Sequence, residues 1–210
     1  MSNMIIQSLV VGAIQTNVYF IMNKETKELL IVDPADEAGR IAEKVREMQG
    51  TPKAVLLTHG HYDHFGAADA LRKEFGIDVY CEEHEQQVLS DPSVNTSPMH
   101  GLSAVLKADR YLTDGQQIEL AGFEIHVLRT PGHTTGSCCF YFPKDGVLFS
   151  GDTLFCESYG RTDFPTGNSR EMTESIQRLL RELPEETDVY PGHALNTSIA
   201  WEKRYNPLAF

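Results

Sequence analysis

Eleven consecutive residues constrain this chain most. The apolar run Ala54-Val55-Leu56-Leu57-Thr58 passes directly into His59-Gly60-His61-Tyr62-Asp63-His64. A short, continuous apolar run reads as a strand buried on both faces. His59 and His61, two apart in extended chain, point to the same side. Asp63 and His64 stand at the turn into the next helix and can face a second point a few ångströms away. Such convergence suits a metal, whose ligands must all approach within ~2.0–2.2 Å. Three later segments follow the same plan: Pro131-Gly132-His133 after the strand Phe123–Arg129, Gly151-Asp152-Thr153 after Val147–Ser150, and Pro191-Gly192-His193 after Thr187–Tyr190. Each sets one ligand-type side chain just past a strand end, beside a glycine that permits close backbone approach. Four strand ends thus offer His, His, Asp, His, His, Asp and His.

The rest of the pattern is β-rich with helices in each half. Met4–Val11, Asn17–Met22 and Glu28–Val32 read as strands, the third stopped at Asp33-Pro34. Asp36 is the expected cap of a helix with apolar positions Ala38, Ile41, Ala42, Val45 and Met48, ended by Gly50. One helix is expected over His64–Phe75, then a strand at Ile77–Tyr80. Residues 90–108 are irregular. Gln117–Leu120, Ser137–Phe142 and Val147–Ser150 are further strands, and residues 152–167 form a long loop. Asn168 with Glu171 is a capping box for the stripe Met172, Ile176, Leu179, Leu180 and Leu183. A last helix spans Thr197–Tyr205. There is no repeat and no linker, so the 210 residues are expected to form a single domain of the α/β class. The architecture expected is a four-layer αββα sandwich with two mixed β-sheets inside.

Charge narrows the function. Eighteen Lys and Arg against 30 Asp and Glu give −12, the wrong sign for neutralising nucleic-acid phosphates. The longest apolar run near the N-terminus, Leu9–Ile14, is far below the ~18–20 residues that span a bilayer. No Lys or Arg precedes Lys24, so no basic leader is evident. Cys81, Cys138, Cys139 and Cys156 show no disulfide-framework spacing and are expected as thiols in a reducing cytoplasm. No membrane and no nucleic-acid partner is expected; the oligomeric state is open.

His59-Gly60-His61-Tyr62-Asp63-His64, followed by His133, Asp152 and His193, resembles the HxHxDH…H…D…H signature of the metallo-β-lactamase superfamily. The nearest branch is the small bacterial glyoxalase-II-like (hydroxyacylglutathione hydrolase-like) hydrolases, supported by Pro131–Ser137, Gly151–Phe155 and Gly160-Arg161-Thr162-Asp163-Phe164-Pro165. The fold of that superfamily is the αββα sandwich. The resemblance implies two divalent metal ions, zinc first, with iron or manganese also suited to the donor mix. It assigns His59, His61 and His133 to the first ion and Asp63, His64 and His193 to the second, with Asp152 bridging both. Asp63 and Asp152 become the catalytic carboxylates, and Arg161 the substrate-binding side chain. The implied reaction is hydrolysis of a small-molecule thioester, S-acylglutathione or a relative, by metal-activated hydroxide.

The chain departs from full-length glyoxalase II enzymes. With the sequence stopping at Phe210, their basic helical extension is not expected, and Asp163, two positions after Arg161, stands where a tyrosine helps bind glutathione. Two further enzymes of the superfamily stay open. One is a persulfide dioxygenase, with a single iron on His59, His133 and Asp152; the other is a lactonase. A nuclease is disfavoured by charge, and antibiotic hydrolysis by the bridging Asp152. Outside the motifs, His84 reads as a surface residue and His126 as sheet structure. His100 lies where a substrate entrance could be.

Overall fold

The computed structural model describes residues 2–210. In chain order the elements are β1 (Met4–Val11), β2 (Thr16–Asn23), β3 (Glu28–Val32), α1 (Ala38–Glu47), β4 (Thr51–Leu56), α2 (Tyr62–Phe65), α3 (Ala68–Phe75), β5 (Asp78–Glu82), α4 (Gln86–Ser90) and β6 (Arg110–Leu112). The second half holds β7 (Gln117–Leu120), β8 (Phe123–Arg129), β9 (Cys138–Phe142), β10 (Val147–Gly151), β11 (Leu154–Phe155), β12 (Ser158–Tyr159), α5 (Ser169–Glu182), β13 (Asp188–Pro191), β14 (Thr197–Ser198) and α6 (Ile199–Tyr205). One sheet runs β1-β2-β3-β4-β5-β6, the other β14-β13-β10-β9-β8-β7. Both are mixed. In the first, β1, β2 and β3 pair antiparallel and the remaining pairs are parallel. In the second, only β10 and β13 pair parallel.

Alternation along the strands separates the layers. On β2, Val18, Phe20 and Met22 pack with Ile41, Ala42 and Val45 of α1 and with Ala68 and Leu71 of α3. Tyr19 and Ile21 point the other way, into a core shared with Ile125, Phe140 and Phe149 of the second sheet. A strand covered on both faces has no side that tolerates charge, which is why every residue of β2 is buried. Cys138 and Cys139, adjacent on β9, face opposite layers: Cys138 the inter-sheet core, Cys139 the layer beneath Met172, Ile176 and Leu179 of α5. The result is helices, sheet, sheet, helices: the expected αββα sandwich.

Local departures have physical causes. The helix expected over 64–75 is broken into α2 and α3 at Gly66, where a Cβ would stand 2.3 Å from the Ala35 carbonyl oxygen. Ala67 N donates to the Pro34 carbonyl there (2.9 Å), fixing the crossing. Asp36 does not cap α1. The residue before the helix is Glu37, left-handed at φ 55°, whose carboxylate accepts from Gly12 N instead. The irregular regions also hold structure: α4 runs into 90–108, a 3₁₀ turn at Ser97–His100 lies within it, β6 at the edge of the first sheet follows it, and the 152–167 loop contains the β11–β12 hairpin. Thr197–Ser198 is an edge strand, and α6 starts after it with Ser198 Oγ accepting from Trp201 N. The capping of α5 by Asn168 is as expected, with its side chain accepting from Arg170 N and Glu171 N. All four cysteines are free thiols, Cys156 alone partly exposed. Among the described residues no helix is long and apolar enough to cross a membrane.

Candidate metal centre

β8, β10 and β13 run in the same direction, so their C-terminal ends lie on one edge of the second sheet. They deliver His133, Asp152 and His193. Facing them, the chain leaving β4 delivers His59 and His61, and α2 carries Asp63 and His64. All seven side chains picked out in the sequence meet there. Their donor atoms form two groups able to hold a cation: His59, His61 and His133, and Asp63, His64 and His193.

The first group is fully buried and purely imidazole. His61 Nδ1 and His133 Nε2 lie 2.8 Å apart, a gap that one shared proton or one cation can bridge. In the second group His193 Nε2 is 3.3 Å from Asp63 Oδ2 and 3.3 Å from His64 Nε2. Asp152 stands between the groups. Its Oδ1 is 3.4 Å from His64 Nε2, and its Oδ2 is 3.6 Å from both His133 Nε2 and His193 Nε2.

Hydrogen bonds behind the rings set the tautomers. Asp33, buried at the end of β3, accepts from Thr58 N (2.8 Å), Thr58 Oγ1 (2.6 Å) and His64 Nδ1 (2.9 Å). The His64 proton is therefore on Nδ1, leaving Nε2 to face the site. Thr58 Oγ1 has already given its proton to Asp33, so it accepts from His59 Nδ1 (3.1 Å) and His59 Nε2 faces inward. His133 Nδ1 donates to the Arg161 carbonyl (2.7 Å), with the same effect. His59 Nε2 and Asp152 Oδ1 are buried with no hydrogen-bond partner among the described residues. Buried polar atoms are rarely orphaned, and orphaned imidazole and carboxylate atoms in such a cluster fit a metal's donor set.

The electrostatics of the two groups differ. Burial, then the neighbouring imidazoles, hold His59 and His61 well below the ordinary histidine pKa, and burial lowers His133. Neutral rings are the form that binds metal. Burial works against a charged His64, but Asp152, Asp63 and Asp33 together outweigh it and lift its pKa well above the usual value. Burial likewise opposes the ionised Asp63, and His64 and His193 overcome it, holding that carboxyl well below its usual range. The second group is thus an ion-pair network in the metal-free chain.

Around both groups lies a cleft of about 620 Å³. Ile14, Met99, Phe155 and Phe164 supply apolar walls, and Phe164 packs 5.0 Å from the His61 ring. His100 lines the cleft and lies against Tyr62, at 5.3 Å between ring centroids. Arg161 also lines it, with its guanidinium 4.2 Å over Phe164 and its Nε and NH2 forked onto Asp163 at 2.6 and 2.7 Å. His84 is exposed and bonded to Glu82, and His126, partly buried, pairs with Glu124.

Three supports lay outside the sequence reading. Asp33 had a signal, since it stands past an apolar strand as Asp152 does. Asn17 had none: it sits inside a strand, yet its Nδ2 donates to the Pro191 and Ala194 carbonyls and ties β2 to the His193 loop. Glu85 also had none. It sits in an acidic run that reads as surface, yet it is fully buried.

The family model of the metallo-β-lactamase superfamily matches residues 11–193. A probable metallo-hydrolase of Bacillus subtilis, YqgX, is 38% identical over 94% of this chain and 94% of its own length. The hydroxyacylglutathione hydrolase GloC of Haemophilus influenzae is 35% identical, covering 97% of both chains. Among solved structures, BLEG-1, described as a B3 metallo-β-lactamase, superposes with TM-score 0.92 at 40% identity over 98% of this chain and 99% of that one. TTHA1623, solved in a di-iron-bound form, superposes with TM-score 0.85 at 33% identity over 96% and 98%. With its strand-end ligands, its sandwich and these likenesses over nearly its whole length, the chain belongs to the metallo-β-lactamase superfamily of metal-dependent hydrolases.

Proposed function

We propose that this protein is a dinuclear metallo-hydrolase of small-molecule thioesters, of the glyoxalase II type. The observation that carries the reading is Asp152, which stands between the two donor groups: its Oδ2 is 3.6 Å from His133 Nε2 of the first and from His193 Nε2 of the second, and its Oδ1 is 3.4 Å from His64 Nε2. In this reading His59, His61 and His133 hold one divalent ion, Asp63, His64 and His193 hold the other, and Asp152 is shared. The likeness to GloC supports a thioester substrate, and the di-iron form of TTHA1623 supports two ions. Zinc, iron and manganese all suit the imidazole and carboxylate donors.

When bound, the ions supply Lewis acidity and a water acidic enough to ionise near neutral pH. The chain's own contribution is placement. Asp63 and Asp152 bring the negative charge that lets two dications sit close together. Phe155, Phe164, Ile14 and Met99 shelter the acyl group and the carrier chain from water. Arg161, at the cleft wall, is placed to meet a carrier carboxylate, and Asp163 neutralises part of that charge. The leaving group needs no proton donor, because a thiol with a pKa of about 8.5 departs readily as thiolate.

The test is anaerobic incubation of the metal-loaded protein with S-lactoylglutathione and with a simpler acyl thioester, with and without a chelator. Chelator-sensitive cleavage of a thioester without dioxygen is the expected result. Dioxygen consumption with glutathione persulfide and no thioester cleavage assigns the site to the dioxygenase instead. A β-lactam serves as the control suggested by BLEG-1.

A further inference from the structure

We propose that Glu85 is a positioning residue that holds the first metal's two loops at bonding distance. The inference rests on the dinuclear reading above and adds to it a residue from outside the ligand motifs. Glu85 lies in the 3₁₀ turn Glu83–Glu85 after β5, and its side chain is wholly buried. Its Oε2 accepts from Gly60 N at 2.6 Å, the amide between His59 and His61. Its Oε1 accepts from Thr134 Oγ1 at 2.6 Å and from Gly136 N at 2.7 Å, just past His133. One carboxylate therefore joins the two segments that supply all three imidazoles of the first group.

The packing around it is built for this approach. A Cβ on Gly60 would stand 2.8 Å from Glu85 Oε2, and one on Gly136 would stand 2.6 Å from Glu85 N. Glycine at both positions lets the turn close on the loops. Thr134 Oγ1, having donated to Glu85, accepts from Ser137 Oγ at 2.6 Å, so its rotamer is fixed from both sides. None of Glu85's hydrogen bonds goes to α2 or to the His193 loop. Those are held separately, by Asp33 on His64 and by Asn17 and Tyr19, both of which donate to the Pro191 carbonyl. Glu85 thus controls the geometry of one metal position and not of the other.

The experiment titrates metal-free protein with cobalt(II) and follows the hyperfine-shifted imidazole N–H resonances, three from the first group and two from the second. In Glu85→Gln the amide keeps one acceptor for Thr134 and Gly136 but presents N–H to the Gly60 N–H. The free cobalt needed to raise the set of three is expected to increase 10- to 100-fold, the range for losing a support behind a metal ligand. The set of two should fill within about threefold of the parent, since none of its supports is touched. Parent-like filling of both sets overturns the proposal, as does equal weakening of both. Thr134→Val removes a single donor without changing side-chain size. It decides the matter by the same readout if Glu85→Gln does not fold. A parent that shows one cobalt at the set of three and none at the set of two refutes the dinuclear reading and leaves the Glu85 test intact. A parent that binds none at the set of three overturns both.

Discussion

Asp33→Asn is the sharpest probe of how the site is preorganised. The backbone of Asp33 is left-handed, at φ 49°, which asparagine tolerates about as well as aspartate, so the variant isolates the side chain. Oδ1 must remain oxygen, because it accepts from the immovable Thr58 N–H at 2.8 Å. The amide nitrogen then replaces Oδ2, facing Thr58 Oγ1 at 2.6 Å and His64 Nδ1 at 2.9 Å. An N–H there cannot accept from His64 Nδ1–H. The His64 ring must move its proton to Nε2, the atom that faces the metal. Thr58 Oγ1 must also turn its proton away from position 33 and toward His59 Nδ1, inverting the second ring. Losing the buried charge from this network should cost roughly 3 kcal/mol of stability. Metal affinity should fall 10- to 100-fold at each position where a ring has inverted. Nitrogen-15 spectra of the imidazoles at alkaline pH, where the rings are neutral, report the tautomers. Denaturant titration of the metal-free chains reports stability. A variant that keeps His64 protonated on Nδ1 and binds two ions as tightly as the parent refutes the tautomer argument.

Other perturbations probe the remaining parts. Asp152→Ala removes the carboxylate shared by both donor groups, and elemental analysis should show at least one ion lost, with thioester hydrolysis down by orders of magnitude. Arg161→Ala should raise KM for glutathione thioesters with kcat little changed, whereas Asp163→Asn should lower KM. Asp163 is exposed, and its bidentate pairing with Arg161 pulls its carboxyl down to about 2, so it stays ionised across the working range. Unchanged KM in both variants makes the two a structural pair. Burial pushes the Glu85 carboxyl from an ordinary 4.5 up to about 7 against the pull of its three donors. A carboxyl raised on folding stabilises below its unfolded pKa, and that stability disappears as pH rises through the folded one. Parent and Glu85→Gln, compared metal-free, should therefore diverge between about pH 4.5 and 7, the parent losing on the order of 3 kcal/mol more than the variant. Parallel stability curves across that window contradict the assignment.

The seven side chains that converge were legible in the sequence because a candidate metal site leaves a local mark: ligand-type residues beside glycine at the ends of apolar runs. The layers were legible for a similar reason. Ala54–Leu56, the second half of β4, is apolar enough to be buried on both faces, and the stripe Met172, Ile176, Leu179 and Leu180 needs an apolar surface to cover. What sequence could not show is what depends on long-range approach. Gly66 breaks a helix because the Ala35 backbone crosses it, 31 residues earlier in the chain. Glu85 looks like one more surface acid until the Gly60 and Gly136 loops close on it from 25 and 51 residues away. Asn17 looks like a strand residue until Pro191 arrives, 174 residues later. Local pattern determined which residues can bind a metal and which faces are apolar. The tertiary structure alone determined which buried polar groups hold those ligands in place, because a hydrogen bond between distant segments leaves no periodicity in either one.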